Sequence, residues 1–433
     1  MTADTTRTIQ VAALTRVEGE GALRIYLKDN RVTDVQLSIY EPPRFFEALL
    51  RGRPLEETPD ITARICGICP IAYQMTSIHA LEQALGIAIT PEIRALRRLL
   101  YCGEWIESHG VHMHLLHIPD FFRCSSSIEL AKRFPKEVIR GLRLKKTGNR
   151  LLEVLGGRAV HPINAAVGGF YRAPRKAELH TLTDDLKQGL QDAIDVARWV
   201  SSFEYPDFDR DYEMVAMHHP EEYPMNEGRI VSTKGLDIAA NEFEQHFEER
   251  HVAHSTALQC MRIPANTAYF VGPLARVNLN PSTLSPSAKQ LMSEVGIEWP
   301  CFNPYKSIVA RALEVVHAFE EALQIIADYQ GCSPARVSYV PRQGEGCWAT
   351  EAPRGLIYHR YATTEDGKIA FAKIVPPTSQ NQRQIELDLA DYIPSVLGGG
   401  DSETALACER LIRSYDPCIS CSTHFLKLEI NRQ

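Results

Sequence analysis

Two short segments, ARICGICP and YDPCISCSTH, each carry a Cys-x-x-Cys pair: Cys66 with Cys69, and Cys418 with Cys421. The pairs lie roughly 350 residues apart, whereas a local zinc knuckle keeps its pairs close in sequence. Such spacing predicts a fold that brings the two ends of the chain together around one buried site. Four thiolates make a soft, sulfur-rich ligand set that suits zinc, iron–sulfur or nickel. A structural zinc site in a scaffold or assembly protein is the plain reading of the spacing. Against it, a chain of 433 residues does not need a metal staple to fold. Pro70 and Pro417 border the pairs and favour rigid placement of the sulfurs.

The rest of the composition narrows the class. With 44% hydrophobic and 23% charged residues, the chain is globular rather than disordered. A formal net charge of -7 and the lack of a basic block give a nucleic-acid role no electrostatic support. No apolar run is long enough for a membrane span, and the N-terminal segment lacks the order of a signal peptide, so a cytoplasmic location is expected. The seven scattered cysteines read as small buried hydrophobes, not as a disulfide framework.

Residues 9–40 alternate as strands do around the turn-forming Lys28-Asp29-Asn30, which predicts a β-meander. Helical periodicity predicts helices over 70–85, 91–118, 176–203 and 304–330, with Pro91 and Pro304 in first turns. Residues 205–300 read as loops with short strands, VSYVPRQGEGCWATEAPRGLIYHRYAT as strands and turns, and 383–416 as closing helices. The expected fold is mainly α with small β elements (α+β): a large helical body with an N-terminal β-meander. It is read as a single domain over 1–433, with metal-binding helices in 60–120 and a C-terminal metal-binding region in 340–433.

RICGICP before a long helix, together with the terminal DPCISCSTH, resembles the large subunit of [NiFe] hydrogenases. RVEGEG, PRFFE, SHGVHMHLLHIPDF, GGRAVHPINAAVGGF, EAPRGLIYH and VPPTSQN extend the likeness over nearly the whole chain, most like the cytoplasmic, bidirectional, NAD(P)-linked branch. The resemblance implies reversible heterolytic cleavage of H2 at a Ni-Fe(CN)2(CO) centre. Cys66, Cys69, Cys418 and Cys421 would be the nickel ligands, with Cys69 and Cys421 bridging to iron. Arg354 would hang over the open coordination position, and Asp120 and Asp416 would orient it by charge-assisted hydrogen bonds. Glu18 would be the first proton relay. Pro377 and Thr378 would lie beside the iron ligands, with the Thr378 hydroxyl on a cyanide. Glu47 and His424 would bind Mg2+. His109, His112, His114 and His117 sit at helical spacing and are read as packing and hydrogen-bond partners, not as a further metal site.

The chain departs from the common family pattern at Tyr73 and Glu20, where many members have His. A phenol can donate a hydrogen bond but is not basic near neutral pH. The sequence holds no other grouped cysteines for an iron–sulfur cluster and no dinucleotide-binding glycine motif. An iron–sulfur small subunit is therefore expected, with flavin and NAD(P) diaphorase subunits beyond it. The family pattern also implies a maturation endopeptidase that cuts after His424 once nickel is in place.

Overall fold

The helix at the centre of the body starts at Pro91, whose fixed φ suits a first turn, and Thr90 caps it by accepting the Ile93 N–H. It runs over Pro91–Val111, widens into a π-helical turn over His112–His117, and resumes at Ile118–Phe121. The single helix expected over 91–118 is therefore interrupted. Pro119 supplies the reason: it has no N–H to give back one turn and its ring crowds that carbonyl. The computed structural model describes residues 6–41 and 44–423.

Helix Pro135–Gly156, which is not among the expected helices, packs along Pro91–Val111. Its charged residues obscure the pattern, yet Val138, Leu144, Leu151, Leu152 and Leu155 recur on one buried face. Gly148 lets the two backbones touch: a Cβ there would stand 2.7 Å from the Gly103 carbonyl oxygen. Helix Ser307–Asp328 packs against both Pro91–Val111 and Thr183–Ser201. The expected helix 176–203 is two pieces, Lys176–His180 and Thr183–Ser201. Residues 205–300 contain helices Pro273–Leu279 and Pro286–Glu294 besides the expected short strands.

Against this body lie small antiparallel sheets. Strands Thr6–Val11, Gly21–Lys28 and Arg31–Ile39 form the N-terminal meander. Its second turn uses Asp29 and Asn30 at φ 50° and 59°, the left-handed conformation a tight hairpin turn demands. Gly344–Ala352, Gly355–Thr363 and Ile369–Val375 form a second meander. Ala352 pairs with Gly355, so Pro353 and Arg354 are its two turn residues. A Cβ on Gly355 would press within 2.6 Å of Val271, so only glycine lets this turn seat there. The following helix starts at Pro377, not at 383, and spans Pro377–Val396. Helix Asp401–Tyr415 ends on Asp416, whose φ of 56° turns the chain toward Cys418. Among the described residues no helix is long and apolar enough to cross a membrane.

Candidate metal centre

The two Cys-x-x-Cys segments meet. The Sγ atoms of Cys66, Cys69, Cys418 and Cys421 all lie within 4.8 Å of one another, and all four residues are buried. Cys66 faces Cys418 at 3.4 Å and Cys69 faces Cys421 at 3.7 Å, so each pair meets its counterpart. Cys69 is the N-cap of helix Pro70–Leu85 and Cys418 the N-cap of helix Ile419–Ser422, so chain direction changes at each pair. Cys66 Sγ accepts the N–H groups of Ile68 at 3.3 Å and Cys69 at 3.4 Å, bonds that favour a thiolate. Burial pushes the Cys418 and Cys421 thiols up, the state a positive ion would reverse.

Two side chains that sequence reasoning missed hold the segments in place. Arg44 donates from one nitrogen to the Ile65 carbonyl at 2.8 Å and to the Ser420 carbonyl, tying one pincer to the other. Its own N–H bonds the Thr423 carbonyl at 2.7 Å. Glu104, inside the central helix, accepts the N–H groups of Ile71 at 2.6 Å and Ala72 at 3.2 Å, capping the helix behind Cys69. A charged residue in a buried helix was the available signal for Glu104. Arg44 offered none, because PRFFE reads as an ordinary helix entry.

Arg354 is buried and points at this cluster. Its Nε donates to the Asp416 carbonyl at 2.9 Å and a terminal nitrogen to Asp416 Oδ1 at 3.0 Å, leaving the other terminal nitrogen buried without a partner. Burial alone would lower this guanidinium, but Asp416 and the Cys418, Cys69 and Cys66 sulfurs outweigh it and hold it well above its usual value. Arg311 supports Asp416 from the far side at 3.3 Å. Asp120 does not take the place expected for it. Its carboxylate is filled by Arg413, at 2.7 and 2.9 Å, and by Arg16. The interrupted helix delivers Asp120 to the arginine one turn before Asp416, not to Arg354.

Glu18 lies beside Cys418 through an isolated parallel bridge, and its Oε2 is 3.0 Å from Cys418 Sγ. The Thr378 hydroxyl accepts the Cys418 N–H at 3.0 Å, and Pro377 is buried next to it in the first helical turn. Glu47 accepts the Ile374 N–H at 2.8 Å, and burial raises its carboxyl to about 7. Burial likewise raises Glu249 to about 8, with Glu47 adding to it and Lys373 opposing. Residue 424, expected to join Glu47, and the tail after it lie outside the described residues. The four histidines are buried. His109 pairs with Glu314 at 2.9 Å, His112 with the Arg413 carbonyl at 2.8 Å and His114 with the Gly110 carbonyl at 3.1 Å. Tyr73 is buried with its phenol near the Cys421, Cys69 and Cys418 sulfurs. Burial, then the charges of Cys421, Cys69 and Cys418, push it well above its usual value.

The family model for nickel-dependent hydrogenases matches residues 44–137 and 265–424, which contain both pincers, Glu47, Arg354 and Asp416. The chain belongs to the nickel-dependent hydrogenase family. It is 31% identical to sulfhydrogenase 1 subunit alpha of Pyrococcus furiosus, over 97% of this chain and 98% of the relative. It is 27% identical to NAD-reducing hydrogenase HoxS subunit beta of Cupriavidus necator, over 97% of this chain and 95% of the relative. The fold matches that of an NAD+-reducing [NiFe]-hydrogenase in the H2-reduced state with a TM-score of 0.89 at 23% identity, covering 97% of this chain and all of the other. The protein is thus the large subunit of a [NiFe] hydrogenase, an oxidoreductase acting on H2. Its four-cysteine group fits a nickel–iron centre, not the closed zinc site of a scaffold.

Proposed function

We propose that the residues around the four cysteines divide the work of H2 conversion, with electrons leaving on one side and protons on the other. One observation carries this reading: around the cysteine cluster stand a buried guanidinium with a spare N–H and a carboxylate in contact with one sulfur. Cys66, Cys69, Cys418 and Cys421 would hold the nickel, and Cys69 with Cys421 the iron and its cyanide and carbonyl ligands. When bound, this group supplies the chemistry that takes H2 to two protons and two electrons.

Arg354 has no proton to lose near neutral pH, so it serves as a fixed positive donor over the reacting face, aimed by Asp416. Glu18 is the base that receives a proton from Cys418 Sγ across 3.0 Å, within direct transfer range. Thr378 fixes the Cys418 backbone and has its own hydroxyl proton left, which it would offer to a cyanide ligand. Pro377 excludes water at that edge. Glu47, with His424, would hold Mg2+ through a hard carboxylate oxygen, and a second buried carboxyl, Glu249, lies near Glu47.

Electrons need an exit that this chain does not itself contain. Gly67 is exposed between the first two ligands, and Val160, 49% exposed, lies beside it. An iron–sulfur small subunit docked there would take electrons over the shortest path, with flavin and NAD(P) diaphorase subunits beyond it in a cytoplasmic complex. Cleavage after His424 by a maturation endopeptidase would complete the large subunit. The meeting of the two end segments supports one domain over 1–433. The test is elemental analysis with infrared spectroscopy on the purified complex. About one nickel per chain and cyanide and carbonyl bands are expected, with all lost in Cys418→Ala. Zinc in place of nickel in an active sample would refute the assignment.

A further inference from the structure

The turn that carries Arg354 is held from behind by a second buried arginine. Arg276, on helix Pro273–Leu279, donates through Nη1 to the Ala352 carbonyl at 2.8 Å and through Nη2 to the Pro353 carbonyl at 3.1 Å. These are the two residues that precede Arg354 in the chain. The same guanidinium meets Glu351 at 2.9 Å and grips Glu314 with two bonds of 2.7 Å. All of its N–H groups are thus engaged, and its face lies 4.5 Å over the Trp105 ring.

From Glu314 the contacts lead round to the other end of Arg354. Glu314 Oε2 lies 2.9 Å from His109 Nε2, and His109 Nδ1 lies 3.4 Å from Arg311 Nη1. A guanidinium can only donate, so Nδ1 is the acceptor and the ring carries its proton on Nε2, facing Glu314. Burial holds this imidazole at about 4, with Glu314 opposing, so the ring is neutral at neutral pH. Arg311 Nη1 also pairs with Asp416 Oδ2 at 3.3 Å, and its Nη2 donates to the Tyr415 carbonyl at 3.3 Å. Asp416 in turn grips the Arg354 guanidinium. The circuit closes there: Arg354, Asp416, Arg311, His109, Glu314, Arg276 and back to the Arg354 turn. Each of these side chains is buried, and its arginines alternate with its carboxylates.

We propose that Arg276, Glu314, His109 and Arg311 are positioning residues for H2 turnover, forming one buried frame that fixes Arg354 at both its backbone and its guanidinium. The inference rests on the reading of Arg354 as the fixed donor over the reacting face. A clamp at Asp416 alone would let the guanidinium shift whenever its turn shifts. Joining both clamps through one frame removes that freedom, and a donor misplaced by about 1 Å costs about 100-fold in rate. His109 is the informative member. It is the neutral link between the two halves, and its loss leaves the ion pairs of Arg311 with Asp416 and of Glu314 with Arg276 in place.

The experiment uses the purified complex with His109→Leu, His109→Gln and Arg311→Lys, and places His109→Leu and Arg311→Lys also in an Arg354→Lys background. Nickel content, turnover per nickel and the KM for H2 are read for each. His109→Leu and Arg311→Lys should each lower turnover about ten-fold, with nickel retained and KM unchanged. His109→Gln, which offers one acceptor and one donor, should recover most of the loss. In the Arg354→Lys background His109→Leu should cost no more than about two-fold, because its effect passes through the guanidinium. Where His109→Leu does not fold, Arg311→Lys in the two backgrounds reads the same coupling. Unchanged turnover in His109→Leu would mean that the ring only packs beside Trp105, 6.0 Å away, and this proposal would fail alone. An equal loss with and without Arg354 would also sink it, as would loss of nickel from both His109→Leu and Arg311→Lys. Full turnover per nickel in Arg354→Lys would overturn the reading of Arg354 and the frame with it.

Discussion

Arg354 gives two hydrogen bonds to Asp416, one to its backbone carbonyl and one to its carboxylate, and keeps a third face of its guanidinium unpaired inside the protein. Both bonds come from the planar fork, so the position of the spare N–H is set by geometry that lysine cannot copy. Arg354→Lys should therefore retain nickel yet lower H2 oxidation by about 100-fold or more. Comparing turnover per nickel in the two proteins checks this. Equal turnover per nickel would mean that charge alone suffices there.

Asp120 and Arg413 form a pair in which neither side chain is more than 2% exposed. Burial opposes ionisation of Asp120, but hydrogen bonds and charge from Arg413, then Arg16, hold its carboxyl below the usual range. Removing the carboxylate strands a buried guanidinium, at a cost of about 3–5 kcal/mol. Asp120→Ala should thus lower the unfolding midpoint markedly. The protein that still folds should keep turnover per nickel close to the parent. Normal stability with lost turnover would instead place Asp120 with Arg354.

Tyr73 sets the electronic prediction. Its buried phenol keeps its proton beside the Cys421 sulfur, and a proton held there draws charge from the sulfur. In Tyr73→Phe the sulfur becomes more electron-rich, so an iron-bound carbonyl should absorb at lower wavenumber while nickel content stays the same. Infrared spectra of the two proteins in one redox state decide it. An unmoved band would show that the phenol serves packing only.

His114 isolates a pH effect. Burial holds its imidazole at about 4, below the usual 6.5, despite the Gly110 carbonyl. The folded pKa is depressed for a base, so the unfolded chain takes up the proton first as pH falls. Its contribution to stability is complete above about 6.5 and is lost toward 4, with a slope approaching about 1.4 kcal/mol per pH unit. The stability gap between parent and His114→Gln should accordingly shrink as pH drops through that window. Denaturant midpoints at pH 7.5, 6 and 5 measure the gap. A gap that widens on acidification would contradict the assignment.

The sequence by itself determined the four-cysteine group and much of the local scaffold. Cysteine spacing, the prolines at helix starts and the alternating strands are all properties of residues close in the chain, and helix Pro70–Leu85 fell where its pattern put it. Helix Pro135–Gly156 was missed because its charged face diluted the apolar period, although Pro135 and Gly157 marked its ends. What only the tertiary structure decided is which charge meets which. Asp120 was expected at Arg354, yet the π-helical turn carries it to Arg413. Arg44 and Glu104 gained their places at the centre from elements far away in sequence. Ion-pair and hydrogen-bond partners are chosen by how helices cross and where strands end. Those choices depend on contacts between distant segments, which local periodicity does not record.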